Sequence, residues 1–126
     1  MDLPTQSHLK TLRDALEYRL AELTGDVQDA ESARRARVDP TEVGDVEEEA
    51  QRLEAGDIAE AQEERAVEEL RLVRGAIRRL DDGVYGDCMD CGGPIGLQRL
   101  FAQPAAQRCA SCQTAWEERP QGLDLH

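Results

Sequence analysis

The chain has 126 residues with 27 acidic and 15 basic side chains, a net charge of −12, and only 3% aromatic residues. That length allows one modest domain and excludes the larger enzyme scaffolds, while the scarcity of aromatics argues against a broad globular core. The negative charge sets the chain against phosphate backbones and anionic lipid, so neither direct sequence-specific nucleic-acid binding nor membrane attachment is expected.

The first predicted element is a helix over about 6–35. Leu9, Leu12, Leu16, Leu20, Leu23, Val27 and Ala30 recur at steps of three and four, which makes one apolar stripe on a charged helix. The stretch RVDPTEVGD follows, where Pro40 forbids a continuous helix and Gly44 leaves the backbone free to turn. A second helix is predicted over about 46–80 from Val46, Ala50, Leu53, Ala66, Leu70, Val73, Ile77 and Leu80. Neither stripe is wide enough for burial on all sides, so the arms must cover each other as an antiparallel hairpin with its tip at about 36–46. A fold point near residue 41 puts Leu9 opposite Val73, Leu16 opposite Ala66 and Val27 opposite Leu53. It also sets Gly25 against Gly56 and Asp57, as for a close backbone approach or a bend. Arg34, Arg35 and Arg37, just before the tip, read as a solvated basic face.

The second arm outlasts the first, which leaves Ile77, Leu80 and Val84 to be covered by the segment 84–118. Ile95, Leu97, Leu100, Phe101 and Trp116 are available there to complete a small core. Residues 119–126 read as a disordered tail. The expected fold class is mainly α: an antiparallel two-helix coiled-coil hairpin over 1–83, followed by a small four-cysteine module. No apolar run reaches the length of a membrane span, and MDLPTQSHLK lacks the pattern of an export signal, so a cytoplasmic location is expected.

Every cysteine lies in the module, as Cys88-x2-Cys91, a gap of seventeen residues, and Cys109-x2-Cys112. A two-residue gap lets both sulfurs of one turn reach the same metal at about 2.3 Å, and Gly92-Gly93 permits a tight turn beyond the first pair. Four thiolates fill every position of a tetrahedral zinc ion and leave none for water, so one structural zinc is expected on Cys88, Cys91, Cys109 and Cys112. Disulfides, a redox pair and free thiols are the competing readings. A cytosolic setting disfavours structural disulfides, and a thioredoxin-like pair needs a single CxxC beside a strand and helix, not two on a short ribbon. His8 and His126 stand near the chain ends and are expected to be solvated. No nucleophile with a base, open metal position or glycine-rich phosphate loop is visible, so an enzyme is not expected.

The stretch GVYGDCMDCGGPIGLQRLFAQPAAQRCASC resembles the zinc finger of the DksA/TraR family of bacterial RNA polymerase regulators. The resemblance lies in Tyr85-Gly86, Cys91-Gly92, Ile95, Arg99-Leu100, Ala102, Pro104 and Ala105, with the cysteine gap intact. It implies a transcription regulator that binds RNA polymerase directly, passes its hairpin through the secondary channel and brings acidic tip residues toward the active centre without reading DNA. The family's tip motif, Asp-x-x-Asp-x-Ala, is similar to Asp45-Val-Glu-Glu48-Glu-Ala50, which makes Asp45, Glu48 and Ala50 the expected partner-binding tip. The alternative is Glu54-Ala-Gly-Asp57-Ile-Ala59, with Glu54, Asp57 and Ala59, but a fold point near 41 would set Asp57 about 24 Å down the stalk. Asp45 and Glu48 also read as a capping box closing the second helix. Arg65 falls where the family carries a polymerase-facing arginine. Relatives cooperate with guanosine tetraphosphate through basic residues near the finger; here those positions hold Leu72, Gln103 and Gln113, which implies weak dependence or none. A competing function is a zinc-capped coiled-coil adaptor that binds another protein.

Overall fold

A computed structural model describes residues 3–36 and 46–120, with the backbone alone at 46–49, 52, 53 and 55. Four helices make up the described chain: α1 (Gln6–Ala36), α2 (Val46–Asp81), α3 (Leu97–Ala102) and α4 (Ala110–Glu118). An isolated antiparallel bridge between Asp87 and Pro94 is the remaining regular pairing among the described residues. The two arms run within a residue of the lengths expected, and the segment between them, 37–45, lies outside the described residues.

Local chemistry sets the helix ends. At the start of α1 the Thr5 hydroxyl accepts the His8 backbone N–H at 3.2 Å, and the Thr5 N–H donates back to His8 Nδ1 at 3.1 Å. This is a reciprocal capping box with a histidine in the place usually taken by Glu or Gln. His8 also meets Phe101 edge-on, with ring centroids 5.7 Å apart, so it is a structural residue and not the solvated one expected. At the end of α2, Val84 N–H returns to the Arg79 carbonyl at 3.0 Å and Gly83 N–H to Leu80 at 3.3 Å. That double closure needs a left-handed residue, and Gly83 supplies it with φ 76°.

The chain divides into two compact units, Met1–Glu17 with Leu72–His126, and Tyr18–Arg71. In the first, Leu12, Leu16, Val73 and Ala76 are the buried residues of the arms, and Tyr85, Cys88, Ile95 and Leu100 those of the cysteine module. Ile95 and Leu100 thus take the core places expected of them. Val84, Phe101 and Trp116 do not, each remaining more than 40% exposed; Tyr85, anchored by its hydroxyl, is buried instead. Arg13 pairs with Asp81 at 2.8 Å across the arms of this unit.

In the second unit Leu23 and Leu70 are buried. Arg19 grips Glu69 with two hydrogen bonds of 2.6 and 2.7 Å, and Arg34 pairs with Glu63. In both units the arms are antiparallel, but not in the expected register. The midpoints of the three cross-arm pairs fall between 44 and 49, and not near 41. The reason lies in the pattern itself: a stripe stepping by three and four presents an equivalent face after a slide of one heptad, so periodicity alone leaves the register open. The close backbone approach expected at Gly25 is not seen among the described residues, none of which lies within 4 Å of where its Cβ would sit.

Candidate metal centre

The module between α2 and α4 is a pair of knuckles. Beyond Cys88, the Gly92 N–H returns to the Cys88 carbonyl at 2.9 Å and the Cys88 N–H donates to Gly93 at 2.7 Å. Gly92 makes this turn with φ 75°, and the Gly93 N–H then points at Cys91 Sγ, 3.4 Å away. Cys109 stands at the N-cap of α4, so Cys112 falls in the first helical turn. The second knuckle is therefore the mouth of a helix, where free N–H groups favour thiolate. The finger carries α3 and α4 in place of the short ribbon expected from its cysteine pattern.

The four sulfurs of Cys88, Cys91, Cys109 and Cys112 lie within 4.8 Å of one another, with Cys91 and Cys109 3.9 Å apart. A tetrahedron built on bonds of about 2.3 Å has edges of about 3.8 Å, so the quartet fits a single zinc ion. All four donors are cysteines and no other candidate metal cluster occurs among the described residues, which matches a closed structural site. The protonation of the thiols points the same way. Burial pushes the Cys88 thiol up, but N–H groups of Cys91, Cys109 and Asp90 outweigh it and bring the group down to about 6. Cys109 is lowered by the Ser111 hydroxyl and the Cys112 N–H. Cys112, hydrogen-bonded to the sulfurs of Cys109 and Cys88, is pushed up to about 12. The sulfurs are thus close enough to share protons, and a divalent cation would displace them.

Around this quartet the finger is tied to the base of the hairpin within the same unit. The Tyr85 hydroxyl donates to the Pro104 carbonyl at 2.8 Å, and burial pushes it up to about 12. Arg79 reaches the Ala106 carbonyl at 3.4 Å, with its Nε buried and unpartnered; burial lowers its pKa. Arg99 of α3 donates to the Arg108 carbonyl, and Arg108 to Asp90. Sequence reading missed Asp90 and Arg108, and singled out Arg99 without its partner, because these roles come from pairing across the gap, which spacing does not encode.

The other expected site residues lie elsewhere. Asp45 is outside the described residues; Glu48 belongs to the first turn of α2, its side chain also outside them. Ala50, Glu54, Asp57 and Arg65 are exposed on α2, and Ala59 is half-buried. Leu72 and Gln113 are half-buried and Gln103 exposed. Arg34 and Arg35 are exposed as expected, with Arg34 engaged by Glu63, while Arg37 and His126 lie outside the described residues. No described helix is long and apolar enough to cross a membrane.

A sequence profile of the prokaryotic DksA/TraR C4-type zinc finger matches residues 83–117, which contain all four cysteines. An RNA polymerase-binding transcription factor DksA from Caulobacter vibrioides is 48% identical over 44 residues, covering 35% of this chain and 31% of that protein. Its namesake from Escherichia coli K12 is 34% identical over 50 residues, covering 40% of this chain and 33% of that protein. The chain therefore spans about a third of the length of the curated relatives it matches. The structure of transcription factor DksA2 from Pseudomonas aeruginosa superposes with a TM-score of 0.76 at 29% identity, covering 90% of this chain and 86% of that one. The similarity in fold thus extends beyond the finger to the helical arms.

Proposed function

Since the chain belongs to the DksA/TraR family of C4-type zinc-finger proteins, we propose that it is a bacterial transcription regulator that binds RNA polymerase directly. The observation that carries this reading is where the charge lies. The stretch Tyr18–Arg71 holds 17 of the 27 acidic residues and 7 of the 15 basic ones, a net −10 out of −12. The remainder, with 10 acidic and 8 basic residues, is close to neutral. An acidic helical hairpin suits a cation-lined channel inside a protein and is repelled by DNA.

On this reading the hairpin enters the polymerase secondary channel, Asp45, Glu48 and Ala50 approach the active centre, and Arg65 faces the channel wall. The helix bounds support that tip over the alternative: Glu48 belongs to the first turn of α2, whereas Asp57 lies about 16 Å along the helix from its start. The zinc is structural, the protein works in the cytoplasm beside its polymerase, and it neither reads DNA nor performs catalysis. With Leu72, Gln103 and Gln113 in place of cations, guanosine tetraphosphate has little to grip.

Capture of polymerase core by the immobilised protein, competed by a known occupant of the secondary channel, tests the partner. Binding is expected at micromolar concentration; none would favour the adaptor reading. Asp45→Asn with Glu48→Gln should keep polymerase binding and change promoter effects in transcription in vitro. Loss of those effects from Glu54→Gln with Asp57→Asn, and not from the first pair, would move the tip. Adding guanosine tetraphosphate should change either readout little.

A further inference from the structure

The quartet requires two knuckles, separated by seventeen residues of sequence, to hold their sulfurs together, and ties from the first knuckle and from α3 converge on residues 107 and 108. The Met89 N–H donates to the Gln107 carbonyl at 2.9 Å. Arg99 Nε donates to the Arg108 carbonyl at 3.0 Å. The Arg108 side chain, itself only 13% exposed, donates through Nε to Asp90 Oδ2 at 2.7 Å. Asp90 stands between Cys88 and Cys91, and Arg108 immediately precedes Cys109, so this ion pair joins the two halves of the site one residue from its ligands. The guanidinium carbon of Arg108 lies 4.7 Å from the Trp116 ring centroid, and Arg119 lies over the same ring at 4.5 Å. An exposed, unsupported ion pair contributes little; here the Asp90 side chain is 40% exposed, but its arginine is largely shielded and held by a ring on α4.

We propose that Arg108 is a positioning residue of the metal centre: anchored by Trp116, it locks the second knuckle to the first through Asp90 and slows the loss of zinc. Groups that orient metal ligands alter metal affinity by roughly 10- to 100-fold when removed. The test follows zinc transfer from the loaded full-length protein to a chromophoric chelator, with far-ultraviolet circular dichroism as a check on the helices. Arg108→Ala should release zinc at least about tenfold faster, with helicity retained. Asp90→Ala should do the same, and the double variant should be no faster than either single one, because both changes remove one tie. Trp116 is the only tryptophan, so its emission should shift in Arg108→Ala while the metal is still bound. Should Arg108→Ala fail to fold, Asp90→Asn, which keeps the shape and weakens the pair, should still accelerate release measurably. Release rates within twofold of the parent in the Arg108 and Asp90 variants, or additive effects in the double variant, would overturn the proposal. None of these readouts involves polymerase, so failure here is distinct from failure of the proposed function.

Discussion

At the scale of single residues, the finger depends on buried polar groups that find fixed partners. Tyr85 is the clearest case, since its hydroxyl leaves water to meet one carbonyl, that of Pro104. Tyr85→Phe would keep the ring and strand the carbonyl, and it should lower stability by about 1 kcal/mol in chemical denaturation with zinc bound. Cys109 tests the other kind of dependence. Cys109→Ser removes a thiolate from the helix mouth and should abolish tight zinc binding, measured by metal analysis after dialysis; unchanged zinc content would contradict the four-thiolate site. The Asp90 to Arg108 pair shows what residue spacing hides: the two cysteine pairs could be recognised in the sequence because metal geometry constrains their separation, whereas nothing constrains where a clamp between them must sit.

At the scale of elements, the arms were legible because stripes at steps of three and four and a proline between them have few other solutions. Their mutual register was not legible. Arg19 and Glu69 are both charged surface residues in the sequence, and only their meeting across the hairpin reveals which heptads face each other. The helices of the finger escaped notice for a different reason, as α3 is six residues long and α4 begins at a metal ligand. The Arg19 guanidinium, by hydrogen bond and charge, holds the Glu69 carboxyl below its ordinary value of 4.5. The pair therefore contributes stability that is fully present above that value and is lost as pH falls through the lower folded value. Both side chains are more than 40% exposed, so the effect is small and should shrink further in salt. Glu69→Gln should flatten the acid limb of a stability-against-pH profile slightly; an unchanged limb would show the pair to be energetically idle.

At the scale of the whole molecule, charge and metal are apportioned to different stretches of chain. The acidic excess falls within Tyr18–Arg71, and every cysteine falls within the other unit. Chelation should therefore loosen the finger while most of the helical signal, carried by α1 and α2, persists; collapse of that signal in step with zinc loss would mean that the arms have no stability of their own. Acid should strip the metal as well, because protons compete for the thiolates, and zinc uptake at neutral pH should release protons measurable in weak buffer.

The zinc-bearing unit is assembled from two stretches far apart in sequence, with Arg13 meeting Asp81 although the whole of Tyr18–Arg71 is synthesised between them. Of the four ligands, Cys112 is the last to leave the ribosome. Vectorial synthesis thus brings out both arms before the quartet is complete, so the leucine stripes are available to pair before all four sulfurs are.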